Sequence, residues 1–374
     1  MKKILHIING LGKGGAETSL VKLLHLMQGK PYTFLIVSLT DQNQDNFLIQ
    51  EIKNLNISIY HFQINKFNFF LKWFQLICLI RQFKPDVAQT WLYFSDLIGG
   101  LSAKLCGVRK IIWSIRCEGI HLNAKNKVLK KINAFLSRYI PDIICSNSEM
   151  AVKNHISAGY DIEKMQVIYN GYDDSLFYPQ KAQAILRHSL LNQRLPSDSI
   201  LIGALGRFHP DKGYADLISI IDTVIQQYPA VFFILCGRGC DENNSVFKAF
   251  LQKVHHADRL LFLPGTHQPA AYLNMLDIFI LPSKTESFPN VLAEAMLCAL
   301  PCIATDTGAV KGILGETGIL VPTAAPEALA QACLTLLMKS SEERMALGML
   351  ARKRIQKEFS IACFGDNMAS LYDR

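Results

Sequence analysis

The 374-residue chain has no uninterrupted apolar run of about eighteen or more residues, the length a membrane-spanning helix needs, so a soluble or peripheral protein is expected. Its opening, MKKILHIING, sets two lysines before an apolar run. That run is too short for a signal peptide and meets a glycine loop instead of a small-residue cleavage site, so it reads as a first β-strand. The ten cysteines form no C-x-x-C pair and have no histidine ladder beside them. Cys236/Cys240 and Cys298/Cys302 have no second ligand pair at workable spacing, so no metal site is expected, and scattered thiols in apolar segments suit a reduced cytoplasmic compartment. Charge of one sign is missing from the second half. Residues 176–374 hold 18 Lys and Arg against 18 Asp and Glu, while residues 1–175 hold 21 against 13, so the net +8 lies wholly in the first half. A one-sided basic domain points to a polyanionic surface, either nucleic acid or the acidic face of a bilayer, and composition does not choose between them.

What is present is a repeated alternation of apolar strands with amphipathic helices. KKILHIIN is followed by the loop GLGKGG and a helix from Ala16 to about Met27, then by YTFLIVSL, a short helix near Asp45–Asn54 and ISIYHF. An aromatic helix near Phe69–Phe83, DVAQTW, a helix near Asp96–Leu105 and KIIWSIR come next. A basic helix over 124–138, DIICSN and a helix near Glu149–Ser157 complete the first series. Between Gly171 and Ser199 the pattern lapses into polar turn formers, and then it restarts with SILIGALGRF, VFFILCG, RLLFLPG, DIFILPS, PCIATD and GILVP. The helices between these fall near Tyr214–Tyr228, Gln268–Met275, Asn290–Ala299 and Pro326–Met338, with a last one from about Glu342. This predicts an α/β protein of two doubly wound parallel-sheet domains facing a cleft. The first domain spans 1–175, a linker 176–198, the second domain 199–355, and a C-terminal helix over 356–374 is free to return to the first.

Three segments carry chemistry. In Glu286-Ser-Phe-Pro-Asn-Val-Leu-Ala-Glu294, a strand leads into a helix whose first turn holds Pro289. Backbone N–H groups of Phe288, Asn290 and Val291 and the helix dipole suit a pyrophosphate there, and Asn290 is a candidate cap. Glu286 stands where it could reach a sugar hydroxyl, and Glu294, about a turn inside, could take ribose hydroxyls. The alternative is a Glu-rich helix start with a capping role. In Gly206-Arg-Phe-His-Pro-Asp-Lys-Gly213, Arg207 offers a bidentate fork and Lys212 a point charge, together able to neutralise a diphosphate leaving group; two solvated cations on a polar loop are the bland alternative. In Gly10-Leu-Gly-Lys-Gly14-Gly15-Ala-Glu17, glycines let backbone approach a ligand. The G-x-G-x-x-G spacing is not met, and no acidic residue ends YTFLIVSL, although Asp41 lies close by, so NAD is disfavoured.

Together these segments resemble the retaining glycosyltransferases of family 4, which have the GT-B fold of two facing Rossmann-like domains. The match is colinear over nearly the whole chain: GGAE at 14–17, QTWLYFSDLIGGLSAKLCGV at 89–108, VIYNGYD at 167–173, GRFHPDKG at 206–213, LCGRG at 235–239 and PSKTESFPNVLAEAMLCALPCIATDTG at 282–308. Within the family the chain looks closest to enzymes that build lipopolysaccharide, capsule or other lipid-linked glycans. The resemblance implies that Arg207 and Lys212 hold the donor pyrophosphate. It gives Glu294 the ribose, and Glu286 with the backbone of Phe288, Pro289, Asn290 and Val291 the donor sugar and phosphates. Gly14 and Gly15 would approach the donor from the other domain, Asn170 and Gly171 would line the cleft, and the base would lie near Gly237–Gly239 and Thr266–His267. Arg116, Glu118 and His121 are candidates on the acceptor side. Three positions depart from the family: Ser287 where glycine is usual, Phe94 where histidine is frequent, and Cys117 where histidine tends to follow Ile-Arg. The implied activity is transfer of a hexosyl or N-acetylhexosaminyl group from a UDP- or GDP-sugar, without a metal cofactor, to a lipid-linked or cell-surface glycan. Configuration would be retained by front-face attack, with the leaving phosphate taking the acceptor's proton.

Residues 66–84 combine Phe67, Phe69, Phe70, Trp73 and Phe74 with Lys66, Lys72, Arg81 and Lys84. Residues 125–138 set Lys125, Lys127, Lys130, Lys131 and Arg138 among Val128, Leu129, Ile132 and Phe135. Basic amphipathic helices of this kind suit an acidic headgroup layer, which places the expected protein at the inner face of the cytoplasmic membrane; ordinary helices packed on the sheet are the alternative. A nucleotide-sugar epimerase of the same fold is the alternative enzyme. A nucleic-acid-binding protein has only the N-terminal charge in its favour, since no reading motif is present.

Overall fold

The computed structural model describes residues 1–12, 14–40, 47–119, 122–180, 187, 195–196, 198–241, 244–252, 254–263, 265, 268–286 and 288–374. The chain divides into two compact units, Met1–Gly171 with Ala362–Arg374, and Tyr172–Ile361. Most of the expected linker, and the start of the helix expected from Asp45, lie outside the described residues.

Unit 1 is a sheet of β1 (Lys2–Ile8), β2 (Tyr32–Ser38), β3 (Ser58–His61), β4 (Val87–Trp91), β5 (Lys110–Ile115), β6 (Ile143–Ser146) and β7 (Met165–Val167), in the order β3-β2-β1-β4-β5-β6-β7. Every pairing is parallel. Its helices are α1 (Gly15–Leu26), α2 (Phe47–Asn54), α3 (Phe69–Phe83), α4 (Tyr93–Leu105), α5 (Ala124–Leu136) and α6 (Glu149–Ile156). Unit 2 holds β8 (Ile200–Leu205), β9 (Val231–Cys236), β10 (Leu260–Leu263), β11 (Ile278–Leu281), β12 (Cys302–Thr305) and β13 (Ile319–Val321), in the order β10-β9-β8-β11-β12-β13 and again all parallel. Its helices are α7 (Tyr214–Ser219), α8 (Ile221–Gln227), α9 (Ser245–Leu251), α10 (Pro269–Leu273), α11 (Asn290–Leu297), α12 (Val310–Leu314), α13 (Pro326–Leu337) and α14 (Ser341–Glu358), followed by α15 (Ile361–Asp373).

Parallel strands covered on both faces read as continuous apolar runs, which is why period-2 alternation is absent from the sequence. Along β1 the two faces separate. Ile4 and Ile8 pack with Leu20 and Leu24 of α1 and with Phe364, Met368 and Leu371 of α15, while Leu5 and Ile7 pack with Leu76, Leu79 and Ile80 of α3. The C-terminal helix is therefore part of the first unit's core. Its Tyr372 hydroxyl donates to Gln89 Oε1 at 2.5 Å, and Gln89 Nε2 donates to Ser114 Oγ at 2.7 Å. The single last helix read from about Glu342 is two helices. Ser340 and Glu343 form a capping box that starts α14, which stops at Phe359, and Tyr172 N–H and Ile361 N–H then bond to Phe359 O and Tyr172 O. The helix read over Tyr214–Tyr228 is likewise broken at Ile220, between α7 and α8.

Phe67 just before α3, and Phe70 and Phe74 on it, are 88 %, 78 % and 63 % exposed. Phe69 and Trp73 instead pack inward, and Trp73 Nε1 donates to Ser102 Oγ of α4 at 2.8 Å. Both α3 and α5 lie against α4, and α5 leaves Val128, Ile132 and Phe135 exposed.

Two histidines of unit 1 are held neutral by burial. His6 Nδ1 accepts from Trp91 Nε1 at 3.2 Å, and its pKa falls from 6.5 to about 3. His155 falls from 6.5 to about 4, chiefly through desolvation. Unfolded, each ring takes a proton near pH 6.5, so below that pH the unfolded chain binds more protons than the folded one and stability drops. All three tryptophans, Trp73, Trp91 and Trp113, lie in unit 1, so tryptophan fluorescence reports its unfolding. Urea melts should show stability steady above about pH 7 and falling below it by up to about 1.4 kcal/mol per pH unit per histidine, with a shallower fall in His155→Gln. A profile flat down to about pH 5 would refute the neutral burial of both rings.

Candidate functional site

In both sheets the first strand of the unit sits inside the sheet, with the next two strands on one side and the later ones on the other. Connections leave it in opposite directions, opening a crevice at the carboxyl ends of β8 and β11 in unit 2 and of β1 and β4 in unit 1.

In unit 2 the loop after β8 (206–213), the loop after β9 (237–239) and the loop after β11 (282–289) meet at this edge. Backbone bonds tie them together: Gly206 N–H to Cys236 O at 2.9 Å, Phe208 N–H to Arg238 O at 2.8 Å, and Lys284 N–H to Asp211 O at 2.7 Å. Two glycines permit the approach. A Cβ on Gly213, whose φ is +65°, would stand 1.8 Å from Pro282 O, and one on Gly237 would stand 1.8 Å from Gly206 O.

The stitched loops bring Lys212 and Glu286 together. Lys212 Nζ lies 2.5 Å from Glu286 Oε1, which also accepts from Ser283 Oγ at 2.7 Å, and Glu286 N–H donates to Thr307 Oγ1 at 3.3 Å. Glu286 is 9 % exposed. Thr305 Oγ1 donates to Ser283 O, fixing the serine from β12. Arg207 is exposed and makes no hydrogen bond or ion pair among the described residues, whereas Lys212 is paired with Glu286 and Lys284 with Asp216. Ser283, Thr305 and Thr307 escaped the sequence reading because each is an ordinary strand-end hydroxyl whose partner lies on another strand.

At the start of α11 two expectations are corrected. Pro289 stands before the helix as its N-cap residue, with φ −75° and ψ 97°, and not within the first turn. Asn290 is the first helical residue and so does not cap; its Oδ1 accepts from Tyr172 OH at 2.8 Å. The Phe288 ring is buried and stacks on Tyr172 at 6.2 Å, fixing the segment before the helix. Val291 follows in the first turn, and Glu294 is half-buried in the second.

In unit 1, Gly14 is the N-cap of α1 and Gly15 its first residue, with nothing within 4 Å of a Cβ on Gly15. Asn170 follows β7, and its Oδ1 accepts from Arg116 Nη1 at 3.0 Å, with Ser19 Oγ 3.5 Å away. Arg116 and Glu118 are both nearly buried. Their loop is held from below by a neutral network that the sequence did not reveal. Cys117 Sγ lies 3.3 Å from Tyr93 OH, and Tyr93 OH lies 2.7 Å from His155 Nε2. His155 Nδ1 lies 2.6 Å from Ala151 O, which calls for the Nδ1–H tautomer and makes Tyr93 the donor to Nε2. Burial pushes the Cys117 thiol and the Tyr93 hydroxyl up, so both keep their protons. Lys130 Nζ holds Gly119 O at 3.0 Å, and Asn154 Nδ2 holds Glu118 O at 3.3 Å. His121, Thr266, His267, Ser287 and Asp41 lie outside the described residues. Among the described residues no group of three or more His, Cys, Asp or Glu is placed to hold a metal ion.

Two doubly wound parallel sheets of this kind are the fold of the GT-B glycosyltransferases. Residues 13–176 match the family description Glycosyltransferase Family 4, and residues 199–339 match Glycosyl transferases group 1; the chain belongs to the family 4 glycosyltransferases. It is 24 % identical over 403 residues to the capsular polysaccharide biosynthesis glycosyltransferase CapM of Staphylococcus aureus, covering all of this chain and 97 % of that one. It is 25 % identical over 236 residues to an Escherichia coli UDP-Gal:alpha-D-GlcNAc-diphosphoundecaprenol alpha-1,3-galactosyltransferase, covering 61 % of this chain and 59 % of the other. Among solved structures, Anabaena HepE in complex with UDP superposes with a TM-score of 0.86 at 19 % identity over the whole of both chains.

The Gly213 contact gives a test of the stitched loops. Gly213→Ala forces a left-handed backbone on an alanine and drives its methyl into Pro282 O, so it should lower stability by more than the ~1–3 kcal/mol of the backbone strain alone. Thermal melts by circular dichroism measure this, and a melting temperature equal to wild type would contradict the close approach.

Proposed function

We propose that this glycosyltransferase moves a hexosyl or N-acetylhexosaminyl group from a UDP- or GDP-sugar to a lipid-linked or cell-surface glycan, with retention of configuration and without a metal ion. The carrying observation is the Lys212–Glu286 pair at the β8/β11 crevice, with Arg207 free beside it. A diphosphate arriving there would find Arg207 unengaged and would draw Lys212 from Glu286, leaving the carboxylate to accept from hydroxyls of the sugar. The start of α11, with Phe288, Pro289, Asn290 and Val291, would supply backbone N–H groups and the positive end of a helix dipole to the phosphates. Glu294 would take the ribose and Gly237 would line the base. Arg207 and Lys212 would then stabilise charge that develops on a leaving diphosphate, which is the role a divalent ion plays in other transferases. HepE, solved with UDP and with UDP-glucose, and CapM, named for capsular polysaccharide biosynthesis, support a nucleotide-sugar donor and a role in polysaccharide assembly. On the acceptor side the reading uses Arg116, Glu118 and His121.

Lys212→Ala and Arg207→Ala should each lower turnover by about a hundredfold or more and weaken UDP binding. Turnover at the wild-type level in either variant, or activity abolished by chelators, removes the proposed chemistry.

No helix among the described residues is long and apolar enough to cross a membrane. Peripheral attachment at the inner face of the cytoplasmic membrane is supported by the exposed Phe67, Phe70 and Phe74, at or just before the start of α3, and by Val128, Ile132 and Phe135 on α5, both helices carrying lysines and flanking α4. Flotation with liposomes rich in acidic lipid should carry the protein upward at low salt, and the double variant Phe70→Glu/Phe74→Glu should remain at the bottom. No flotation of the wild-type chain at low salt rejects the surface.

A further inference from the structure

Arg116 is 9 % exposed, at the carboxyl end of β5. Its guanidinium carbon lies 5.1 Å from the Trp91 ring and 6.0 Å from that of Phe364, which orient the fork but leave its charge in place. Nη1 donates to Asn170 Oδ1, whereas Nε and Nη2 have no partner, and no carboxylate comes within ion-pairing distance among the described residues. A guanidinium keeps its proton at ordinary pH even when burial disfavours the charge, so this is an uncompensated cation with donors to spare. Buried groups of this kind are rare because each unmade hydrogen bond costs stability, and one that persists calls for a partner.

The surroundings indicate what that partner is. Asn170 Oδ1 is also 3.5 Å from Ser19 Oγ, and Ser19 Oγ donates to Gly15 O at 2.8 Å, so the fork stands beside the first turn of α1. That twelve-residue helix starts at Gly14 with its own Glu17 carboxylate folded back over the N-terminus, where a Cβ on Gly14 would stand 2.3 Å from Glu17 Oε2, so the helix end is already offset and the guanidinium is the charge left over. Residue 170 is the deciding choice. An asparagine oxygen orients the guanidinium without neutralising it, where an aspartate would close an internal ion pair and leave nothing for a ligand.

We propose that Arg116, oriented by Asn170, receives on its unpartnered Nε and Nη2 donors an oxyanion carried by the acceptor, a phosphate or a carboxylate. Only the word acceptor rests on the transferase reading; the anion site stands on unit 1 alone.

The test uses thermal shift on the full chain with UDP saturating, so that the phosphate-binding groups of unit 2 are already occupied. Inorganic phosphate and succinate are then titrated separately. At least one should raise the melting temperature further, phosphate pointing to a phosphorylated acceptor and succinate to an acidic sugar. Arg116→Gln should weaken that response by about tenfold or more while keeping the shift caused by UDP. Asn170→Asp should abolish the anion response and by itself melt higher than wild type, and it decides the matter should Arg116→Gln fold poorly. The proposal is overturned if neither anion shifts the wild-type protein, if the response survives Arg116→Gln, or if Asn170→Asp responds as wild type does. A wild-type chain that UDP does not stabilise, but whose anion response depends on Arg116, would end the donor reading and leave this site standing.

Discussion

The close approach of two βα loops at the carboxyl edge of unit 2 underlies the rest of the candidate site. Because β8 lies between β9 and β11, the segments leaving β8 and β11 start side by side, and Gly213 lets the first press its backbone against Pro282 of the second. The bond from Lys284 N–H to Asp211 O then fixes their relative height, and Lys212 meets Glu286 as a result. A side chain at Gly213 would push the loops apart and break the ion pair without touching either charge.

The two units treat buried charge in opposite ways. Unit 2 keeps Lys212 and Glu286 mutually neutralised and leaves Arg207 in solvent. Unit 1 holds Arg116 in an apolar setting with only an amide oxygen as partner. Beneath it, Cys117, Tyr93 and His155 form a chain of neutral hydrogen bonds, with burial keeping the thiol and phenol protonated and the imidazole uncharged. That network sets the height of the loop carrying Arg116 and Glu118 while adding no charge that would compensate the guanidinium.

Much of the fold was legible in the residues. Buried parallel strands leave apolar runs such as KKILHII and VFFILC, and glycine-containing loops after them mark the ligand-binding edge. The segments 206–213 and 286–294 were found for the same reason, since cations and carboxylates beside glycine and proline stand out against an apolar background. Local signals misled where backbone geometry decided the outcome. Pro289 looks like a first-turn proline, yet its extended ψ makes it the residue before the helix, and Asn290, which looks like a cap, bonds Tyr172 instead. No glycine or proline marks the break at Phe359 and Ser360, yet the bonds that Phe359 O and Ile361 N–H make with Tyr172 end α14 and start α15.

The sequence by itself determined the fold class, the family and the two charged loops of unit 2, because these depend on periodicity and on residues adjacent in the chain. Tertiary structure alone decided that Lys212 rests against Glu286, that Tyr372 from the far end of the chain bonds Gln89 in the first sheet, and that Arg116 faces Asn170 and no carboxylate. Such pairings join residues separated by tens to hundreds of positions. They follow from strand order and from which loops reach one sheet edge, and no local pattern encodes either.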